Sequence, residues 1–296
     1  MRGEYLHEIS NPVIIIGMSR SGTSLLTRML ESLGLFVGKR KDRNNEALFF
    51  VDLNKWFLDQ CSAGLENPGP IRYLIENQEA REAYAYYVRD ILNSPKVISY
   101  LGFTKYLLYG SPFKLNIPWG WKDPRNTFTL PIWLDVFPNA KVIHISRHAL
   151  DVISSLMVRR DRGLSKLKDK AGGFKQSYLR YIMHKFVPKK KIVEMRCSSF
   201  EEGLNMWEEY MEEAHKHSHE LIDNSIEIRY EDLLMQSESI LEKITDFCGL
   251  KTTHNDIKRV AKLANKDRAF AYLKDPELHA YASSPDVVKR LSVYGY

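Results

Sequence analysis

The sequence predicts an α/β fold of the P-loop-containing nucleotide-binding type, a mainly parallel central sheet flanked by helices on both faces. Three observations predict it. Residues 13–30 read VIIIGMSRSGTSLLTRML, a β-branched run that ends at glycine, crosses a short polar loop and restarts with helical periodicity. Residues 141–157, KVIHISRHALDVISSLM, repeat the strand, turn and helix plan. Further on, a long amphipathic stretch, a short strand-like run and another helical period follow, and such alternation requires crossover connections. Crossovers make the strands parallel and place ligands at their carboxyl ends.

The elements follow in order. Val13–Ile16 is the first strand, and Leu25, Leu26, Met29, Leu30 and Leu33 set a helix over 24–33 that Gly34 terminates. A polar basic turn leads to a second helix over 46–58, with Ala47, Phe50, Val51, Asn54 and Leu58 on one face. Residues 79–92 form a helix whose Tyr84, Tyr86 and Tyr87 suit packing better than ligand stacking. Pro95, Pro112 and Pro118 then punctuate an irregular region. Lys141–Ser146 is the second clear strand, followed by helices over 150–158 and 201–221, a strand at Ser225–Arg229 and a helix over 237–247. His144, between buried strand neighbours, reads as a satisfied core imidazole, and Trp119 and Trp121 as packing.

A chain of 296 residues with 44% hydrophobic content buries one substantial core, so a single domain over 1–296 is expected, with helical or irregular insertions at 60–115 and 159–200. The net charge of +6 favours an anionic ligand. No nucleic-acid-binding module accompanies it. Cys61, Cys197 and Cys248 are isolated, which indicates neither a zinc site nor a disulfide framework. The N-terminus lacks an apolar leader, so a cytoplasmic location is expected. Residues 159–191 are rich in lysine and arginine, with Asp161 and Asp169 the acids among them. Such a segment suits a solvated insertion, a flap for acidic acceptors, or contact with an anionic membrane surface; its place after the 150–158 helix favours the flap over the membrane.

The first loop nearly fits G-x-x-x-x-G-K-[ST]. Gly17 and Gly22 are correctly spaced, but Thr23 stands where the lysine belongs and Arg20 supplies a cation earlier. The N–H groups near Gly22 to Leu25 would face an anion at the positive end of the helix. Without the lysine, Mg²⁺-assisted triphosphate hydrolysis is disfavoured. Arg147, at the second strand's end, suits a bidentate phosphate contact, and Ser155, eight residues on, a hydroxyl contact to the same phosphate. Structural readings also fit these residues: a plain turn and N-cap for the loop, a carbonyl cap for Arg147.

RSGTSLL at 20–26 resembles the 5′-phosphosulfate loop of sulfotransferases that use 3′-phosphoadenosine 5′-phosphosulfate (PAPS), and Arg147 with Ser155 resembles their 3′-phosphate motif. WGWKDPRNTFTLPIWLDVFPNAKVIHISR and IEIRYEDLLMQSESILEKITDFCGL resemble further segments of tyrosylprotein and bacterial members, in the same order. The resemblance implies transfer of a sulfuryl group from PAPS to an acceptor hydroxyl or amine, without a metal. It assigns Arg20, Ser21, Gly22, Thr23, Ser24, Leu25, Arg147 and Ser155 to the donor, and Tyr230 to the adenine pocket, where a core tyrosine would read alike. It assigns Lys122 to the leaving oxygen, against a surface lysine paired with Asp123. Glu46 leads as general base, with an ordinary helix N-terminal acid as its other reading and Asp42, His148 and His184 as other bases. A glycan is the favoured acceptor. The rival classes are a P-loop kinase or NTPase and a non-catalytic nucleotide-binding protein.

Overall fold

The computed structural model describes residues 11–172 and 195–296. His184 and the basic stretch from Lys175 to Lys191 therefore lie outside the described residues, as do the first ten positions. The chain forms two compact units, one of Met1–Arg147 with Tyr210–Ala271 and one of His148–Glu209 with Tyr272–Tyr296.

The first unit carries four parallel strands, β1 (Val13–Ile16), β2 (Gly120–Lys122), β3 (Lys141–Ser146) and β4 (Ser225–Arg229), in the order β2-β1-β3-β4. Val13 pairs with both Gly120 and Lys141. Gly120 is required there, because a Cβ would fall 2.0 Å from the Val13 carbonyl oxygen. The expected parallel sheet is present; β2, with three residues, is too short to show a period of its own.

Helices α1 (Thr23–Ser32), α2 (Leu48–Gln60), α3 (Arg72–Ile75), α4 (Gln78–Leu92), α5 (Ile98–Tyr109) and α6 (Asn126–Val136) complete the amino-terminal part of this unit. In α1, Leu26, Met29 and Leu30 are fully buried. Gly34, at φ +105°, lets its own N–H reach the Glu31 carbonyl and that of Leu35 reach Leu30, a Schellman stop. The expected irregular region after Pro95 contains α5. Pro95 opens a helical turn capped by Ser94 rather than breaking one, and α5 is kinked at Gly102. Tyr84 packs on Trp56 and Phe57, as expected, while Tyr86 is exposed.

Side chains alternate across the sheet. Val13, Ile15, Ile143, Ile145, Ile226 and Ile228 share one apolar cluster with α1 and with the helices Tyr230–Met235 and Ser237–Cys248. Ile14, Ile16, Val142 and His144 are equally buried and occupy the alternate positions.

The second unit begins with α7 (Ala149–Gly172), longer than the expected 150–158, and includes the amino-terminal half of α8 (Phe200–Leu221); from Tyr210 onward α8 belongs to the first unit. Gly203 lies against α7, where a Cβ would sit 2.7 Å from Ile153. Trp207 packs edge-on to Tyr294, and Arg290 pairs with Glu201 and Glu208 at 2.6 Å each. No helix among the described residues is long and apolar enough to cross a membrane.

Candidate active site

The polar loop after β1 is shaped by backbone that only glycine adopts easily. Gly17 has φ +132°, its N–H donates to Thr127 Oγ1 at 3.1 Å, and a Cβ would lie 2.4 Å from the Ile145 carbonyl oxygen. Gly22 has φ +101°, and a Cβ there would lie 2.1 Å from the Tyr230 ring. Arg20 is left-handed at φ +76°, a conformation that costs a residue with a Cβ about 1–2 kcal/mol. The Gly22 carbonyl accepts from Leu25 and Leu26, so the N–H groups of Thr23 and Ser24 stand ahead of the first intrahelical bond. The buried hydroxyl of Ser21 has no hydrogen-bond partner. A buried orphan hydroxyl beside the positive end of a helix fits an anionic ligand.

Lys122 ends β2, with its ammonium 2.9 Å from Glu46 Oε1 and 3.3 Å from Ser24 Oγ. Its side chain is 1% exposed and that of Glu46 13%. It is therefore not a surface lysine, and its carboxylate partner is not Asp123, which is held by the Arg125 guanidinium at 2.9 Å and the Arg125 N–H at 3.0 Å. Ser24 donates onward to the Asn44 carbonyl at 2.9 Å.

The expected helix from residue 46 begins instead at Leu48, because residues 41–47 fold into a loop around Asp42. Asp42 Oδ1 accepts the N–H groups of Asn44 at 2.8 Å and Glu46 at 2.9 Å, and Oδ2 accepts Asn44 Nδ2 at 3.0 Å. Glu46 thus precedes the helix rather than forming its first turn. Burial holds its carboxyl above the usual carboxylate range, against the attraction of Lys122, and the negative charges of Asp123 and Asp42 push the same way as burial.

A buried polar network lies behind Lys122. Asn54 donates to Asp123 Oδ2 at 3.0 Å and Asn126 Oδ1 at 2.8 Å, while its own oxygen accepts Thr129 and Trp133, each at 2.8 Å. Asn126 donates to the Ile15 carbonyl at 3.1 Å and accepts Trp121 Nε1 at 3.1 Å. These bonds tie the Lys122 segment to β1, α2 and α6. Trp119 and Trp121 are buried packing residues, as expected.

Arg147 is buried at the end of β3. Its guanidinium donates to the carbonyls of Arg20 at 3.4 Å and Arg268 at 3.1 Å, and lies 4.7 Å from the centroid of the Tyr230 ring. Tyr230 is itself buried, its ring filling the space that a side chain at Gly22 would need. The first unit thus brings together Arg20, Gly22, Arg147 and Tyr230, and beside the start of α1 it joins Ser24, Glu46 and Lys122. Leu25 is half-buried on α1. Ser155 is half-buried on α7 in the second unit, and His148 stacks on Tyr272 there with ring centroids 4.0 Å apart. His144 is a buried imidazole bonded to Glu227, as expected.

Sequence reading missed the positioning roles of Asp42, Asn54 and Thr127. Asn54 left a signal, a polar amide on the apolar face of a helix; Asp42 and Thr127 left none, since their bonds depend on how the loops close.

The sulfotransferase family profile matches residues 12–254. No curated protein matches the chain at a significant level. Among solved structures, the sulfotransferase domain from the curacin biosynthetic pathway is 15% identical over 93% of this chain and 96% of that one, with a TM-score of 0.49. The sulfotransferase domain of the Synechococcus PCC 7002 olefin synthase is 17% identical over 98% and 97%, with a TM-score of 0.48. Sulfotransferase STF9 from Mycobacterium avium is 14% identical over 94% and 78%, with a TM-score of 0.42. With the family profile spanning β1 through β4 and every residue of the phosphate-type loop, the chain belongs to the sulfotransferase family.

Proposed function

We propose that the protein transfers the sulfuryl group of PAPS to an acceptor hydroxyl or amine, with a glycan hydroxyl as the acceptor class and 3′-phosphoadenosine 5′-phosphate as the second product. The observation that carries the reading is the buried Lys122–Glu46 pair against Ser24 at the amino end of α1. An acceptor O–S bond forms as the bond between sulfur and the bridging phosphate oxygen breaks. Glu46 takes the acceptor proton, a role suited to a carboxyl held above its ordinary range. Lys122 neutralises the charge left on the departing oxygen, as preorganised donors do for other developing oxyanions.

The donor's 5′ end would be held by Arg20, the hydroxyls of Ser21, Thr23 and Ser24, and the loop backbone from Gly22 to Leu25. The orphan Ser21 hydroxyl supports that assignment. Arg147 would take the 3′-phosphate and Tyr230 would border the adenine; Ser155 is carried by the family motif alone. The polar, aromatic-containing segment at 60–115, with Tyr86 and Tyr87 exposed and charged residues such as Lys96, supports a sugar acceptor. Aromatic faces suit sugar C–H groups, and the charged side chains suit hydroxyls. Cys61, Cys197 and Cys248 are not joined by disulfides, which supports a reducing, cytoplasmic setting.

Incubation with sulfur-labelled PAPS and fractionated glycans tests the reading. Label on a glycan with matching release of 3′-phosphoadenosine 5′-phosphate is expected. Stabilisation by ATP and Mg²⁺ with none by 3′-phosphoadenosine 5′-phosphate would overturn it in favour of a kinase.

A further inference from the structure

We propose that His144, His215 and Glu227 form a binding site for one divalent transition-metal ion of the zinc class. The parallel register of β3 and β4 sets His144 directly beside Glu227, and α8 brings His215 over the pair. All three belong to the first unit. Glu227 Oε1 lies 3.4 Å from His144 Nδ1 and 3.7 Å from His215 Nε2, and one ligand atom from each residue falls within 4.8 Å of the others. Metal bonds of roughly 2.0–2.2 Å in a tetrahedron put neighbouring ligand atoms about 3.3–3.6 Å apart, so pairs of ligand atoms would draw together by at most about 1.5 Å to complete three corners.

The donor set has the right chemistry. Two imidazoles and one carboxylate suit zinc, cobalt or nickel better than calcium or magnesium, which prefer oxygen alone. Exposure is graded from a 3% exposed His144 through His215 at 30% to Glu227 at 47%, which leaves an entry path and a fourth position for water. The isolated cysteines pointed away from a metal, and the histidine set was hidden because its members are far apart in the sequence. An ion here would clip β3, β4 and α8 together, a few residues from Arg147 at the β3 end. The site is separate from the Lys122–Glu46 pair, so the inference stands independently of the proposed reaction.

The test uses the full chain without an affinity tag, stripped with chelator. Zinc titration by calorimetry and cobalt titration by visible absorption are expected to show one equivalent, the ligand-field spectrum of a four-coordinate ion, and a raised melting midpoint. His215→Asn and Glu227→Gln, at half-exposed positions, should each weaken binding by more than the roughly 10–100-fold that losing an outer-shell partner costs, and His254→Asn, in another His–Glu pair, should leave it unchanged. Equal zinc affinity in the parent, His215→Asn and Glu227→Gln chains would overturn the site, as would failure of the parent chain to bind zinc at micromolar concentration.

Discussion

The ammonium of Lys122 lies 2.9 Å from the Glu46 carboxylate, joining the end of β2 to the loop before α2. Removing either member should separate their roles. Lys122→Met is expected to lower kcat about 10²–10³-fold while stabilisation by 3′-phosphoadenosine 5′-phosphate persists, since Arg147 and the loop remain. Steady-state kinetics beside a thermal-shift titration check both parts; near-parental turnover in a folded variant would refute the assignment.

Glu46 should set the acidic limb of the pH-rate profile. Its carboxyl is held above the ordinary range, chiefly by burial, and only the ionised form accepts a proton. Activity should therefore fall as pH drops through a value above that of a free glutamate. Lys122 lowers this pKa, so in Lys122→Met the acidic limb of the residual activity should lie at still higher pH. Glu46→Gln should lose about 10²–10⁴-fold in kcat/KM and show no such limb.

Asp42 positions Glu46 through the backbone. Asp42→Asn keeps an oxygen able to accept from Asn44 and Glu46, so most activity should remain, whereas Asp42→Ala should lower kcat with little change in global stability. Asp42 also raises the Glu46 pKa by charge repulsion, and Asp42→Asn should shift the acidic limb downward. A pH-rate profile of both variants reads this directly.

Gly22 and Tyr230 should be energetically coupled. A Cβ at Gly22 collides with the Tyr230 ring and also meets φ +101°, so Gly22→Ala should cost about 1–3 kcal/mol in urea unfolding. Adding Tyr230→Ala should relieve the collision and leave the backbone strain, giving a non-additive double-mutant cycle. Additive costs would show that the ring moves aside freely.

Asn54→Leu should destabilise the fold by about 1–3 kcal/mol for each of Asp123 Oδ2 and Trp133 Nε1 that it leaves unsatisfied, while Thr129 keeps the Arg125 carbonyl. Urea denaturation with an unchanged m-value checks it.

The sequence by itself determined the α/β class, strands β1, β3 and β4, the glycine-shaped loop and the candidacy of Lys122, Glu46, Arg147 and Tyr230. The class, the strands, the loop and Arg147 rest on local signals, a β-branched run, glycine spacing or a charged residue at a strand end, whereas Lys122, Glu46 and Tyr230 are candidates only through the resemblance to sulfotransferases. Strand β2 and helix α5 were illegible, because three residues carry no period and because Pro95 reads as a breaker although it begins a helical turn. Only the tertiary structure decided that Glu46 turns away from a helix terminus to meet Lys122. That choice depends on the Asp42 loop bonds and on the burial that makes an unpaired ammonium costly, and neither is encoded in neighbouring residues.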